Sequence, residues 1–375
     1  MNPSSPARTA PAGTTADTFD VLVVGGGING AGIARDLAGR GWRVLLAEAE
    51  DLAQHTSSSS TKLIHGGLRY LEHQEFGLVR KALQEREVLL RSAPHIMWPL
   101  RFVMPHDPSM RPAWMIRIGL FLYDHLARRE VLTRTRVVSA RRGAQGWRAV
   151  LQPADGGAAR TVEARLLVNA AGPWAESFLR STARPAAGET LATKSLRLVK
   201  GSHIVVPRCF EHDHAYIFQN PDRRIIFAIP YERDFTLIGT TDQEIEGDPA
   251  RARIDAGEIA YLCEQASRYF TRAVAPSDVV WHYAGVRPLL DDDSGDPSAV
   301  TRDYLLENNT DGGAPLLSVW GGKITTFRKL AEDAASEIGR LLGQSRPAWT
   351  ATAHLPGGDL SAWIGPPQRP DTDFE

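Results

Sequence analysis

The chain is poor in cysteine: it has two in 375 residues, Cys209 and Cys263, far apart and in no C-x-x-C spacing. That excludes a disulfide framework and a cysteine zinc site, and it fits a reducing cytosol. An excess of charge of one sign is also missing. Lys and Arg number 43 against 44 Asp and Glu, a net charge of −1, so the balance gives no reason to expect a nucleic-acid partner. No apolar run reaches the roughly 18 residues that a spanning helix needs. The nearest approach, residues 113–126, is interrupted by Arg117 and Asp124 and reads as a core-packed helix ahead of an interfacial one. The first 17 residues are rich in Pro, Ala, Ser and Thr, have no apolar signal region and read as a disordered tail. G-x-S-x-G and Walker A sequences are absent, which leaves hydrolase and kinase readings without support. His212-Asp213-His214 has no evident third ligand, reads as a solvated loop, and no metal is expected.

What is present is concentrated in residues 19–48. Residues 21–24 form a short apolar run suited to a buried parallel strand, and Gly25, Gly27 and Gly30 follow at G-x-G-x-x-G spacing. Residues 31–40 read as a helix closed by Gly41, residues 44–46 as a second buried strand, and Glu48 stands at its end, 18 residues after Gly30. Each part has a mechanical reason. Gly25 permits a tight turn, Gly27 lets a pyrophosphate approach the backbone, and Gly30 lets helix and strand pack closely. The helix N-terminus offers unpaired N–H groups to phosphates, and Glu48 can accept from ribose hydroxyls. The spacing predicts dinucleotide binding but does not separate FAD from NAD.

A second glycine turn near the other end of the chain makes that separation. Residues 316–320 read as an apolar strand, followed by Gly321-Gly322-Lys323 and a helix over 324–342. A helix N-terminus aimed at the N1/C2=O edge of a flavin would stabilise negative charge on its reduced form, and an NAD enzyme has no need of such an element. Between the two turns, residues 131–142, 147–152 and 161–169 alternate and read as a β-meander ending in Asn169-Ala170-Ala171-Gly172-Pro173-Trp174. Small residues at that strand end, Gly172 among them, let the chain pass beneath a flat cofactor. Residues 198–206, 216–219, 225–229 and 235–239 read as an antiparallel sheet, with further strands at 278–286 and 300–307. Asp255 with Glu258 forms a capping-box pattern opening a helix to Phe270.

The segments VVGGGINGAGIA and TSSSSTKLIHGGLRYLEH, with VNAAGPW, KGSHIVVPR, IGTTD, GVRPL, TRDY and GGKITTFRKLAEDA, carry a resemblance over about residues 19–358. On these motifs the chain resembles the FAD-dependent, aerobic (respiratory) glycerol-3-phosphate dehydrogenases. The resemblance implies an α/β fold: a Rossmann-like FAD-binding domain of the glutathione-reductase/D-amino-acid-oxidase type with a second, mostly antiparallel β substrate domain. On that reading residues 18–75, 131–190 and 311–345 make the FAD-binding domain and 76–130 with 191–310 the substrate domain. Residues 346–375 form a C-terminal extension. Against the family pattern, several dozen residues are missing after about Arg129, and the chain stops where the family continues into a helical domain. Helix 116–128 would then have to serve as the crossover to a parallel strand, or the sheet is damaged.

The implied reaction is oxidation of sn-glycerol 3-phosphate at C2 to dihydroxyacetone phosphate, with FAD as cofactor and a quinone as electron acceptor. Cytoplasmic localisation with peripheral membrane contact, and a homodimer, are further expectations. Implied cofactor contacts are Gly25, Gly27, Gly30, Glu48, Ser57, Ser58, His65, Gly172, Gly322, Lys323 and Thr325. Arg69 and Arg302, helped by Tyr70, are assigned to the substrate phosphate, because guanidinium groups clamp phosphate with paired bonds. Thr240 and Lys323 complete the substrate contacts, and Arg287 is placed by the C2 oxygen. His203 is the expected base, since an ordinary imidazole titrates near neutrality. The alternatives are a related flavoprotein oxidising a hydroxy acid or an amine, and an FAD-binding remnant without turnover.

Overall fold

The computed structural model describes residues 17–65, 76–98, 100, 102–103, 130–185, 191, 193–222, 224–290 and 303–355. Strand Asp17–Val24 lies between Val44–Ala47 and Arg160–Asn169, parallel to both, with Val21 opposite Val44 on one side and Leu166 on the other. Val21, Leu22 and Val23 are wholly buried because both faces of this sheet are covered. Alternation along the strand divides its side chains between two cores. Leu22 packs with Trp147 and Trp320 on one face, and Val21 and Val23 meet Ile33, Leu37, Leu330 and Ile338 on the other. That second core is the seam where helices Ile28–Gly39 and Phe327–Leu341 cover the sheet. Gly32 makes their close approach workable, since a Cβ there would stand 3.0 Å from the Phe327 ring.

Strand Leu316–Gly321 pairs in parallel with the C-terminal end of Arg160–Asn169, which completes the parallel core. Thr135–Arg142, Trp147–Pro153 and Arg160–Asn169 form the antiparallel meander expected from their alternation. The segment read as one strand over 131–142 is two. Glu130–Leu132 pairs in parallel with Val44–Ala47, and after Arg134, at φ +50°, the chain turns into Thr135–Arg142 of the meander. The sheet edge is therefore intact just past the place where the family pattern is interrupted. Helix Phe76–Ser92 lies within the connection that precedes it, and the expected helix 116–128 falls outside the described residues.

The second sheet has seven strands among the described residues, organised around Leu196–Pro207. That strand pairs antiparallel with Phe235–Gly239, Gln243–Ile245 and Trp281–Leu290. Helix Ala256–Ser267 covers one face, with Leu262, Cys263 and Ala266 against Ile204, Phe218 and Ile238. Its capping box is formed as the sequence pattern predicts: the Asp255 and Glu258 side chains each accept from the other's backbone N–H. The strand expected at 300–307 runs Tyr304–Asn309 and belongs to the first sheet, because it closes a hairpin with Leu316–Gly321 through Asp311-Gly312-Gly313. Residues just past 345 likewise join the first layer. Trp349 donates to the Asp36 carbonyl at 3.0 Å, and Gly39 leaves room for its ring.

Candidate functional site

A cavity of about 640 Å3 opens at the C-terminal ends of the parallel strands, between the two sheets. One wall is the first glycine turn. Gly25 holds φ +102°, and a Cβ there would sit 2.4 Å from the Ala170 carbonyl oxygen. A Cβ on Gly30 would sit 2.0 Å from the Gly25 carbonyl oxygen, so helix and turn touch directly. Gly27 is the N-cap of helix Ile28–Gly39, and its Cβ position is 3.5 Å from its nearest neighbour, Ser57 Oγ. That hydroxyl accepts from the Ile28 N–H at 3.0 Å, satisfying one of the helix's unpaired donors. Glu48 accepts the Gly26 N–H at 2.5 Å on Oε2 and the Glu50 N–H at 2.9 Å on Oε1. A carboxylate has about four acceptor positions, so these two bonds orient Glu48 and leave capacity for ribose hydroxyls.

The second glycine turn stands across the same cavity. Gly321 and Gly322 take φ of +68° and +95°, and Lys323 and Ile324 continue the wall toward helix Phe327–Leu341. Asn29 joins the two turns: its Nδ2 donates to the Gly321 carbonyl at 3.2 Å. Asn29 itself lines the wall, and its Oδ1 is buried without a hydrogen-bond partner among the described residues. Sequence reasoning missed Asn29 because it occupies a variable position of the glycine motif; a polar residue inside an otherwise apolar helix start was the available signal. Arg287 enters from the second sheet. Its Nη2 donates to Thr241 O at 2.8 Å and Thr240 Oγ1 at 3.2 Å, and its Nη1 bonds Asp242.

The structure thus brings Gly25, Gly27, Glu48, Ser57, Gly172, Arg287, Gly322 and Lys323 to one cavity. Gly30 lies beneath the wall as a packing contact, and Thr240 stands behind Arg287. The Ser58 carbonyl accepts from Lys62 Nζ at 2.6 Å, and Thr325 is buried with its hydroxyl 3.4 Å from the His65 carbonyl. His65 is exposed, its ring 6.1 Å from that of Phe227. None of these three is on the cavity wall. Arg69, Tyr70 and Arg302 lie outside the described residues.

His203 departs from expectation. It is 3% exposed, stacked on Tyr283 with ring centroids 4.8 Å apart, and is not on the wall. Burial, helped by the positive charges of Arg287 and Lys62, pushes its pKa down to about 3. The ring is then neutral at ordinary pH, and the near-neutral titration that recommended it as a base is lost.

The family of FAD dependent oxidoreductases matches residues 20–132 and 121–328. Glycerol-3-phosphate dehydrogenase of Pseudomonas aeruginosa is 50% identical, over 93% of this chain and 77% of its own length. Aerobic glycerol-3-phosphate dehydrogenase of Escherichia coli is 48% identical, over 92% and 78%. The chain belongs to the FAD-dependent glycerol-3-phosphate dehydrogenase family. D-erythritol 1-phosphate dehydrogenase of Brucella abortus is similar at 47%, over 92% and 78%. Among solved structures, the Bacillus halodurans glycerol-3-phosphate dehydrogenase complexed with FAD superposes at TM-score 0.70 with 29% identity, over 91% of this chain and 68% of that one. The match to the Pseudomonas aeruginosa enzyme spans 403 residues, more than the 375 of this chain, so that enzyme carries interior residues with no counterpart here. The two family segments meet at 121–132, the region where the pattern is interrupted.

FAD is the cofactor of this family, and the residues present fit it. The start of helix Ile28–Gly39 and both glycine turns face one cavity, Glu48 stands on its wall, and the buried Asn29 oxygen is the kind of orphan acceptor that a polar ligand satisfies. Gly25, Gly27, Asn29 and Glu48 would hold the dinucleotide portion, and Gly322 and Lys323 the flavin portion.

Proposed function

We propose that this enzyme oxidises sn-glycerol 3-phosphate at C2 to dihydroxyacetone phosphate and passes the electrons to a quinone. The observation that carries the reading is the meeting of both glycine turns and Arg287 in one cavity. FAD, when bound, supplies a two-electron acceptor at its N5 for the hydride of C2. The protein's task is to orient a small anionic polyol against that acceptor. Arg287 is held on the cavity wall by Thr240, Thr241 and Asp242, a placement suited to steadying negative charge as it develops on the C2 oxygen. Lys323 brings a second cation to the same wall. The substrate phosphate falls to Arg69 and Arg302 with Tyr70, the residues that the family resemblance assigns. A lipid-soluble acceptor implies peripheral contact with the cytoplasmic membrane face. Among the described residues no helix is long and apolar enough to cross a membrane.

The 47% identity to a D-erythritol 1-phosphate dehydrogenase favours one second reading, a four-carbon polyol phosphate as substrate. The test is anaerobic bleaching of the flavin absorbance of the purified protein by glycerol 3-phosphate and by D-erythritol 1-phosphate, side by side. Faster bleaching by the three-carbon substrate supports the first reading and faster bleaching by the four-carbon one the second. A flavin that neither substrate bleaches refutes both.

A further inference from the structure

Glu258 does more than a helix cap requires. A capping box needs one acceptor for the N-cap amide, and Glu258 Oε2 meets that need by accepting the Asp255 N–H at 3.1 Å. Such boxes ordinarily sit in water, yet Glu258 is 8% exposed and its carboxylate is bonded on every side. Lys200 Nζ lies 2.8 Å from Oε2, while Ser202 Oγ and Thr241 Oγ1 donate to Oε1 at 2.9 and 2.7 Å. Thr241 Oγ1 in turn accepts the Ser202 N–H at 2.9 Å. The Thr241 side chain is therefore fixed as donor and acceptor at once, and with its N–H 3.4 Å from the Ser202 carbonyl this anchors the residue that carries the carbonyl. That carbonyl receives Arg287 Nη2. The space around Arg287 is tight as well, since a Cβ on Gly201 would stand 2.1 Å from Nη2.

We propose that Glu258 is a positioning residue for Arg287, acting through Thr241: the buried carboxylate locks the Thr241 hydroxyl, and the Thr241 carbonyl holds the guanidinium on the cavity wall. The chain of contacts runs from the N-terminus of helix Ala256–Ser267, through Thr241 just past strand Phe235–Gly239, to Trp281–Leu290. It rests on the reading of Arg287 as a substrate contact. A helix cap alone would leave no reason for the Thr241 hydroxyl to face a buried carboxylate.

The test is a kinetic cycle on the FAD-loaded enzyme with glycerol 3-phosphate, using T241V, T241S, E258Q and R287K. T241V removes the hydroxyl with little change of shape, so it keeps the test alive should E258Q fold poorly. T241V and E258Q are expected to lower kcat/KM by about tenfold, the scale of one lost charge-assisted hydrogen bond, with bound flavin per chain unchanged. T241S returns the hydroxyl and is expected to recover the loss. In an R287K background, T241V is expected to have little further effect, because the group it positions is already altered. If T241V lowers kcat/KM by the same factor with and without R287K, Glu258 and Thr241 only support the fold and the proposal is overturned. If R287K is impaired and T241V is normal, the positioning role alone is refuted. If R287K turns over like the wild type, the substrate role of Arg287 falls, and this proposal falls with it.

Discussion

Asn29 donates its side-chain N–H to the carbonyl oxygen of Gly321 at 3.2 Å, across 292 residues of sequence, and ties the two glycine turns of the cavity into one piece. N29A cuts that tie and removes a buried acceptor from the wall. Its FAD affinity is expected to fall by about tenfold, the scale of one to two net hydrogen bonds. Flavin fluorescence titration of the stripped protein measures this; an unchanged affinity would mean that the turns hold their spacing without it.

Gly30 and Gly27 are expected to fail differently when given a methyl group. A Cβ on Gly30 collides with the Gly25 carbonyl, whereas one on Gly27 has 3.5 Å of clearance. G30A is expected to cost about 1–3 kcal/mol of folding stability, as overpacking does, and to lose FAD as well. G27A is expected to melt like the wild type and to lose FAD affinity only, because its methyl group projects where a phosphate must approach. Paired urea melts and flavin titrations separate the two.

His203 makes the folded enzyme sensitive to acid. Its folded pKa, about 3, lies below the ordinary 6.5, so between those values the unfolded chain takes up a proton that the folded chain refuses. Its contribution is harmless above about pH 6.5 and becomes destabilising as pH falls towards 3, reaching about 2 kcal/mol by roughly pH 5. H203L, which cannot titrate, is expected to show a shallower loss of Tm between pH 6.5 and 5. A slope equal to that of the wild type would place the imidazole in contact with water.

Glu85 and Arg328 join helix Phe76–Ser92 to helix Phe327–Leu341 through two bonds of 2.6 and 2.7 Å, with the side chains 5% and 4% exposed. E85A leaves the buried guanidinium with Glu332 and Thr350 as its remaining partners and is expected to destabilise the protein by about 1–3 kcal/mol, the cost of unsatisfied buried donors. The double variant E85L/R328M is expected to recover most of that loss, because apolar replacement of both partners removes the stranded charge. Equilibrium unfolding of the three proteins decides; a mild E85A would show that water reaches the pair.

The glycine turns could be read because their requirement is local. Gly25 and Gly30 answer to backbone atoms within a few residues or in the adjoining strand, and no other residue type meets those distances. The capping box at Asp255 was legible for the same reason. The division of residues 130–142 into two strands was not, since alternation continues through Arg134 and only its positive φ sends the two halves into different pairings. The second role of Glu258 was hidden because Ser202 reaches it from another strand and Thr241 from the link after Phe235–Gly239.

Residue order alone predicted the glycine turn of a dinucleotide-binding element, and a second such turn pointed to FAD, because contiguous backbone shapes both. Tertiary structure decided which side chains share the cavity with them. His203 and Arg287 lie on strands paired in one ladder, yet one ring is stacked under Tyr283 and loses its proton while the other side chain reaches the wall. Burial and the charges brought near by folding set that difference, and neither is written in the neighbouring residues of the chain.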